Sequence, residues 1–327
     1  MTLSTFFEPW LVKGVLPQTH KSRGNHLPPL TDFDAPVTPA ETEAASSNPF
    51  FNPKNKDSIE NALQGFIQVG NGEVRLRLAQ EVFDTALLNL RNMPDDDPNK
   101  SENLQKISSW INRRLSLRDL LTGSGPSIEN ISLGLYVQRA VEDILPPNDE
   151  IKNSAKKVFP SYCSASKIEM SKIMVYADAF KVDTDGLENG LARIIETRQW
   201  ERFERFKMGY PEIYDIKNQK FISAIKEAIL HAKTPDEVLE IRKKFPGFTD
   251  GDFHAAIQDK YTEMIVWNPQ DISSYEKALG IEVDLTNEKI KDMAGKSLLR
   301  LTNILKGELP DEKFTKDLEA LQMILSR

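Results

Sequence analysis

The stretch Ala79-Gln80-Glu81-Val82-Phe83-Asp84-Thr85-Ala86-Leu87-Leu88-Asn89-Leu90 spaces its apolar residues by threes and fours: Ala79, Val82, Phe83, Ala86, Leu87 and Leu90. A helix turns once in about 3.6 residues, so this spacing puts all of them on one face, whereas a strand would scatter them over two. The same grammar runs outward from there. Asp95-Asp96-Asp97-Pro98 breaks the run, and Ser101 is placed to cap a helix carrying Leu104, Ile107, Ile111 and Leu115. Gly123-Ser124-Gly125-Pro126 breaks again before Ile128, Ile131, Leu135, Val141, Ile144 and Leu145, and Pro146-Pro147 ends that helix.

Further on, Ser166 with Glu169, and more loosely Asp185 with Glu188, have capping-box spacing. Thr234-Pro235-Asp236-Glu237 joins a capping hydroxyl, proline at the first helical position and a glutamate at the third. Apolar stripes follow at Phe253, Ile257, Tyr261 and Ile265; at Leu298, Leu301 and Leu305; and at Phe314, Leu318, Leu321 and Leu325. Strand-like alternation is confined to Ile281-Glu282-Val283-Asp284-Leu285, too short for a sheet. The predicted class is all-α, a multi-helix bundle or an irregular helical array. No repeat at helical-hairpin periods is visible, which argues against a regular solenoid.

Residues 1–56 read differently. They hold eight of the nineteen prolines in the 327-residue chain, and each proline removes a backbone donor and fixes φ. Polar runs such as residues 38–47 offer little apolar surface against the cost of ordering. The segment is predicted to be an extended or disordered leader with apolar knots at Phe6-Phe7, Trp10-Leu11-Val12, Val15-Leu16 and Phe50-Phe51. The body is expected to form helical regions over 57–207 and 211–327, or one continuous helical body over 57–327.

The net charge is −7, from 42 basic and 49 acidic residues. The leader holds five residues of each sign, so the whole excess belongs to the body. That balance argues against nucleic acid as a partner, because phosphate binding needs clustered positive charge. One cysteine, Cys163, closes no intramolecular disulfide and makes no cysteine-rich zinc site. No apolar run approaches the roughly 20 residues of a spanning helix, and the start of the chain lacks the positive region of a signal peptide. A cytoplasmic location is expected, with delivery into a host cell by a signal-peptide-independent route compatible with the same features.

Candidate chemistry is thin. Cys163 has His254 and Asp252 as the best available base and orienting acid, without a local nucleophile signature. The residues around it, from Phe159-Pro160 to Ser164, read as a loop. Asp183-Thr184-Asp185-Gly186 resembles a calcium loop but brings its glycine too early. Gly70-Asn71-Gly72 and Gly123-Ser124-Gly125 sit between helices rather than after strands, so they read as helix terminators, not phosphate cradles. No cofactor and no metal site is expected.

Candidate interaction residues are clearer. Trp200, Arg202 and Arg205 belong to the densest aromatic and basic cluster, where Glu201 and Glu204 dilute the charge. Arg113, Arg114 and Arg118 make a smaller basic face. In the leader, Asn48-Pro49-Phe50 is a turn that presents a phenylalanine of the kind endocytic-type adaptor domains recognise, and Trp10 is a second aromatic anchor. The expected function is therefore a non-enzymatic interaction or regulatory protein whose partner is another protein. A bacterial effector acting on a host protein such as a small GTPase is one form of it. Two alternatives stand beside it: a hydrolase or transferase centred on Cys163, and a protein that contacts a membrane surface without spanning it.

Overall fold

The computed structural model describes residues 51–67, 72–116, 126–304 and 312–326. Among these residues the chain forms fourteen α-helices and one 3-10 turn, and no strand. The helices are α1 (Ile59–Gly65), α2 (Gly72–Asn92), α3 (Pro98–Ser116), α4 (Ile128–Val141), α5 (Asp149–Ser164), α6 (Met170–Ala179) and α7 (Thr184–Glu196). They continue with α8 (Trp200–Gly209), α9 (Gln219–Leu230), α10 (Pro235–Lys244), α11 (Asp250–Trp267), α12 (Ile272–Leu279), α13 (Glu288–Ile304) and α14 (Glu312–Leu325), with the 3-10 turn Pro269–Asp271 before α12. The all-α prediction holds. Gly70-Asn71, Arg118, Gly123-Ser124-Gly125, Leu305 and the leader through Phe50 lie outside the described residues.

Two compact units divide the chain, one ending at Gly190 and the other beginning at Leu191, so the division falls inside α7. In the first, α1 packs on α2 and α3, α3 packs on α4 and α5, and α6 packs on α4 and α5. The stripe on α2 is its core face: Ala79, Val82, Phe83, Ala86, Leu87 and Leu90 are each no more than 2% exposed. Phe66, fully buried, meets Phe83 and Tyr136 edge-on at 5.6 and 5.7 Å between ring centres. A second knot surrounds Tyr176, whose ring lies 4.6 Å from Phe180 and 4.9 Å from Tyr162. Its hydroxyl donates to the Ala155 carbonyl at 3.1 Å.

In the second unit α11 is central and packs on α9, α12, α13 and the 3-10 turn. Lys260, on α11, is only 5% exposed, and its ammonium donates to the Leu230 and Ala232 carbonyls at 2.8 and 2.6 Å. A cation thereby satisfies carbonyls that the end of α9 leaves open. Residues 281–285 gain no strand partner. The buried Gln258 amide takes that role, donating to the Glu282 carbonyl at 2.7 Å and accepting from the Asp284 N–H at 2.8 Å. Glu276 accepts from the Val283 N–H at 3.0 Å, so side chains satisfy a backbone that a sheet would otherwise have paired.

Several local readings need correction. Residues 159–164 are not a loop: α5 runs through Pro160 to Ser164. An interior proline costs about 3 kcal/mol, but Ile151, Ala155, Val158, Phe159, Tyr162 and Cys163 form an unbroken buried stripe. Burying large side chains returns roughly 1.5–3 kcal/mol each, which outweighs the lost hydrogen bond. Ser101 does not start α3; Asp97 does, accepting from the Asn99 N–H at 2.8 Å with Pro98 at the first helical position. Ser166 lies before the start of α6, whose capping position is Glu169. Asp183, not Asp185, caps α7, accepting from the Gly186 N–H at 2.8 Å. Thr234 caps α10 as read, accepting from the Glu237 N–H at 3.3 Å with Pro235 behind it.

Two non-glycine residues, Lys181 and Arg198, have positive φ, at 52° and 57°. Each occupies the left-handed position just past a helix, closed by a pair of reversed hydrogen bonds. For α6 these run from Val182 N–H to the Ala177 carbonyl at 2.9 Å and from Lys181 N–H to the Asp178 carbonyl at 3.2 Å. A β-carbon there costs roughly 1–2 kcal/mol, whereas glycine's extra unfolded-state entropy costs about 0.5–1 kcal/mol. Lys181→Gly is therefore expected to raise stability by about 0.5–1 kcal/mol, read as a higher urea midpoint at unchanged slope. The exposed pair with Asp178 that it removes is worth less than that. A lowered midpoint would contradict the strain argument.

Candidate functional site

Cys163 is fully buried in the first unit. A β-carbon added at Gly190 would stand 2.6 Å from the Phe159 ring and 3.0 Å from the Cys163 sulfur, so the thiol sits in a tight helix–helix contact. His254 and Asp252 belong to the second unit, at the start of α11. Asp252 is part of the helix cap: Thr249 donates its hydroxyl to the carboxylate at 2.7 Å, and the Asp252 N–H donates back to the Thr249 oxygen at 3.1 Å. The Thr249 hydrogen bond, helped by Lys226 at 3.3 Å, holds the Asp252 carboxyl below the usual range. His254 is exposed. Among the described residues no three His, Cys, Asp or Glu side chains converge as a metal site.

The α8 cluster divides by face. Phe203 and Phe206 are core residues, at 1% and 0% exposed. Trp200 is half-buried, edge-on to Phe245 at 5.9 Å, with the Lys244 ammonium 5.8 Å from its ring centre. Arg205 pairs with Glu201 one turn back, and Lys207 pairs with Glu204 at 3.7 Å while lying over the Tyr214 ring at 4.8 Å. Arg202 is half-buried. Much of the positive charge on α8 is thus matched locally. Trp10, Asn48, Pro49 and Phe50 lie outside the described residues.

Two other features are more open to a ligand. The first is a cleft of about 440 Å³ between α1 and α3, lined by Glu60, Leu63, Glu102, Lys106, Trp110 and Arg113 among others. Lys106 holds Glu102 at 2.8 Å and Glu60 at 3.7 Å. The Lys106 hydrogen bond keeps the Glu102 carboxyl below its ordinary value, and Glu102 in turn raises Lys106. Both groups therefore stay charged near neutral pH, which suits binding better than proton transfer. Trp110 packs against Phe66, with the Arg114 guanidinium 4.8 Å from its ring centre. The Trp110 Nε1–H is buried and has no hydrogen-bond acceptor among the described residues. Arg113 is exposed and makes no ion pair among the described residues.

The second feature is two exposed apolar side chains in the other unit. Trp267, the last residue of α11, is 64% exposed, and Leu299 on α13 is 62% exposed. Arg300 donates to the Val266 carbonyl at 3.0 Å, so each of these residues adjoins one arm of a single contact between α11 and α13.

No protein-family model, curated protein or solved structure matches the chain. The residues themselves have to carry the functional reading. Neither Trp110 nor Trp267 stands out from the sequence as a candidate for chemistry, although a signal for Trp267 exists. It lies two residues past Ile265 in the stripe of Phe253, Ile257, Tyr261 and Ile265, hence about 200° around the helix from it. An aromatic opposite the core stripe, just before Asn268-Pro269, is a surface aromatic.

Proposed function

We propose that the protein is a helical scaffold that binds another protein, with Trp267 and Leu299 as the anchors of the binding face. The observation that supports this most is their exposure: two large apolar side chains, each more than 60% exposed, adjoin one helix–helix contact. Binding energy concentrates in such anchors, and tryptophan is the side chain most enriched among them. A net charge of −7 favours a protein over an anionic lipid surface as the occupant. Among the described residues no helix is long and apolar enough to cross a membrane.

The test uses the full chain with a photo-crosslinking residue at position 267, expressed in the cells it comes from. A discrete adduct with another polypeptide is expected, and Leu299→Asp should reduce it about tenfold or more, the scale of losing a binding anchor. The same crosslinker at exposed Ser273 supplies the background. An adduct no stronger than that background, or one indifferent to Leu299→Asp, would overturn the proposal.

A further inference from the structure

Cations close the ends of several helices in this chain, and for two of them a carboxylate completes the arrangement. At the end of α4, Arg91 donates to the Ala140 carbonyl at 2.7 Å and to Asp143 at 2.9 and 3.1 Å. Just past α2, the Met93 carbonyl accepts from Lys100 at 2.9 Å, and Asp95 pairs with the same ammonium at 2.7 Å. Lys260 closes α9 without a carboxylate, but it is buried and faces the Tyr275 ring at 5.4 Å.

Arg300 departs from this pattern. Its guanidinium donates to the Val266 carbonyl near the end of α11 at 3.0 Å, its side chain is exposed, and it has no carboxylate partner among the described residues. Asp292 is engaged by Lys296 at 2.6 Å, and Glu263, one turn before Trp267, makes no ion pair with Arg300. A guanidinium presents five N–H donors in a planar fork, so the bond to Val266 leaves donors open to a carboxylate. That bond also restrains a long side chain, which lowers the entropy lost when a partner's acid pairs with it.

Its position ties it to the anchors. Val266 precedes Trp267 on α11 and Arg300 follows Leu299 on α13, so one hydrogen bond joins the chain neighbours of the two exposed apolar residues. Arginine, like tryptophan, is enriched among the side chains that dominate binding. Local electrostatics then select the partner's charge. The end of α11 is the negative pole of the helix, which by itself disfavours an acid, and Arg300 reverses that sign. The chain-wide charge of −7 weighs little on one carboxylate, because at physiological salt screening acts over about 8 Å. An extended anionic lipid surface has no such shelter, since it meets the whole face of the protein.

We infer that the protein segment docking on Trp267 and Leu299 carries an aspartate or glutamate that pairs with Arg300 beside its apolar contact. This rests on those two residues being binding anchors, and it adds the chemistry of the partner: a large apolar side chain with an acid close by. The partner's carboxylate takes the place that Asp143 fills beside Arg91 and Asp95 beside Lys100.

The full chain, panned against a library of random short peptides each fused to its carrier through the C-terminus, tests this with side-chain acids alone. Counter-selection on Trp267→Ala keeps the peptides that use the anchor. These are expected to combine a large apolar residue with Asp or Glu. Arg300→Gln should weaken the best of them by up to about fivefold, the scale of an exposed ion pair. Raising the ionic strength from about 0.1 to about 1 M, where the screening length shortens from about 10 to about 3 Å, should close most of that gap. Panning on Arg300→Glu should return Lys or Arg in place of the acid, because the end of α11 then carries negative charge alone. Far-UV circular dichroism and thermal midpoint serve as controls, since the Arg300 side chain is exposed and its replacement leaves the core intact. Anchor-dependent peptides without acidic enrichment, or with equal affinity for the parent and Arg300→Gln, would overturn the inference and leave the anchors standing. Recovery of no peptide that distinguishes the parent from Trp267→Ala would overturn both.

Discussion

Raising the pH from about 10 to about 12 is expected to destabilise and unfold the first compact unit, driven by its buried tyrosines. Burial pushes the Tyr162 hydroxyl up to about 12 and Tyr176 well above its ordinary value. Both are fully buried, and the Tyr176 hydroxyl also donates to the Ala155 carbonyl, a bond that ionisation would break. A tyrosine is neutral below its pKa, so a raised folded-state value means that the native state holds the proton more tightly than the unfolded chain. The stability this contributes is complete below about 10, the unfolded value, and is lost as the pH climbs toward the folded one. At about 1.36 kcal/mol for each pH step between the two values, Tyr162 costs about 2 kcal/mol near pH 12, and Tyr176 acts in the same direction. The Tyr162 cost alone is a sizeable part of a typical folding stability of about 5–15 kcal/mol. Tyr214 and Tyr275, also raised to about 12, belong to the other unit and matter less there because they are less enclosed. Tyrosinate absorbance and helical ellipticity followed on the same sample should change together, and Tyr162→Phe should move the midpoint upward. Tyrosines that ionise near pH 10 with the helices intact would refute the burial argument.

The helices were legible because burial imposes a period on the sequence. The α2 stripe and the Thr234-Pro235 start both needed only local geometry, and both stand as read. What failed was local chemistry outweighed by packing. Pro160 is a helix breaker on its own terms, yet Phe159, Tyr162 and Cys163 hold the helix through it because their burial is worth more than one lost hydrogen bond. The caps moved by a few residues because several Ser and Asp compete at each boundary: Asp97 displaced Ser101, and Asp183 displaced Asp185. The features most open to a ligand were hardest to see. Trp110 borders the stripe of Ile107 and Ile111, so its sequence position does not separate a core residue from a cleft wall. Its unmet donor is a tertiary fact. Cys163 was the most conspicuous chemical group in the sequence, and its surroundings are those of a packing residue.

Asn61→Asp should cost about 2–4 kcal/mol and unfasten residues 51–55 from α1, although it changes a single atom. The amide oxygen accepts from the Asn52 N–H, and a carboxylate keeps that bond. The amide nitrogen donates to the Asn52 and Asn55 carbonyls at 2.8 and 2.9 Å. In the variant a charged oxygen would face those two carbonyl oxygens, so two hydrogen bonds become two repulsions at a site that is only 8% exposed. One opposing effect exists. Asn61 lies in the first turn of α1, three residues after the capping Ser58, where a negative charge gains about 0.3–1 kcal/mol from the helix dipole. That gain is smaller than the cost of unsatisfied and repelling buried groups, so destabilisation wins. The introduced carboxyl should also titrate above its ordinary value, because the folded state favours its protonated form, which can donate again. The defect should accordingly be full near neutral pH and shrink as pH falls through the raised pKa. Denaturation of the two chains side by side at neutral and mildly acidic pH, together with proteolysis at residues 51–55, would check both parts. A variant as stable as the parent at neutral pH would mean that Asn61 does not hold the leader to α1.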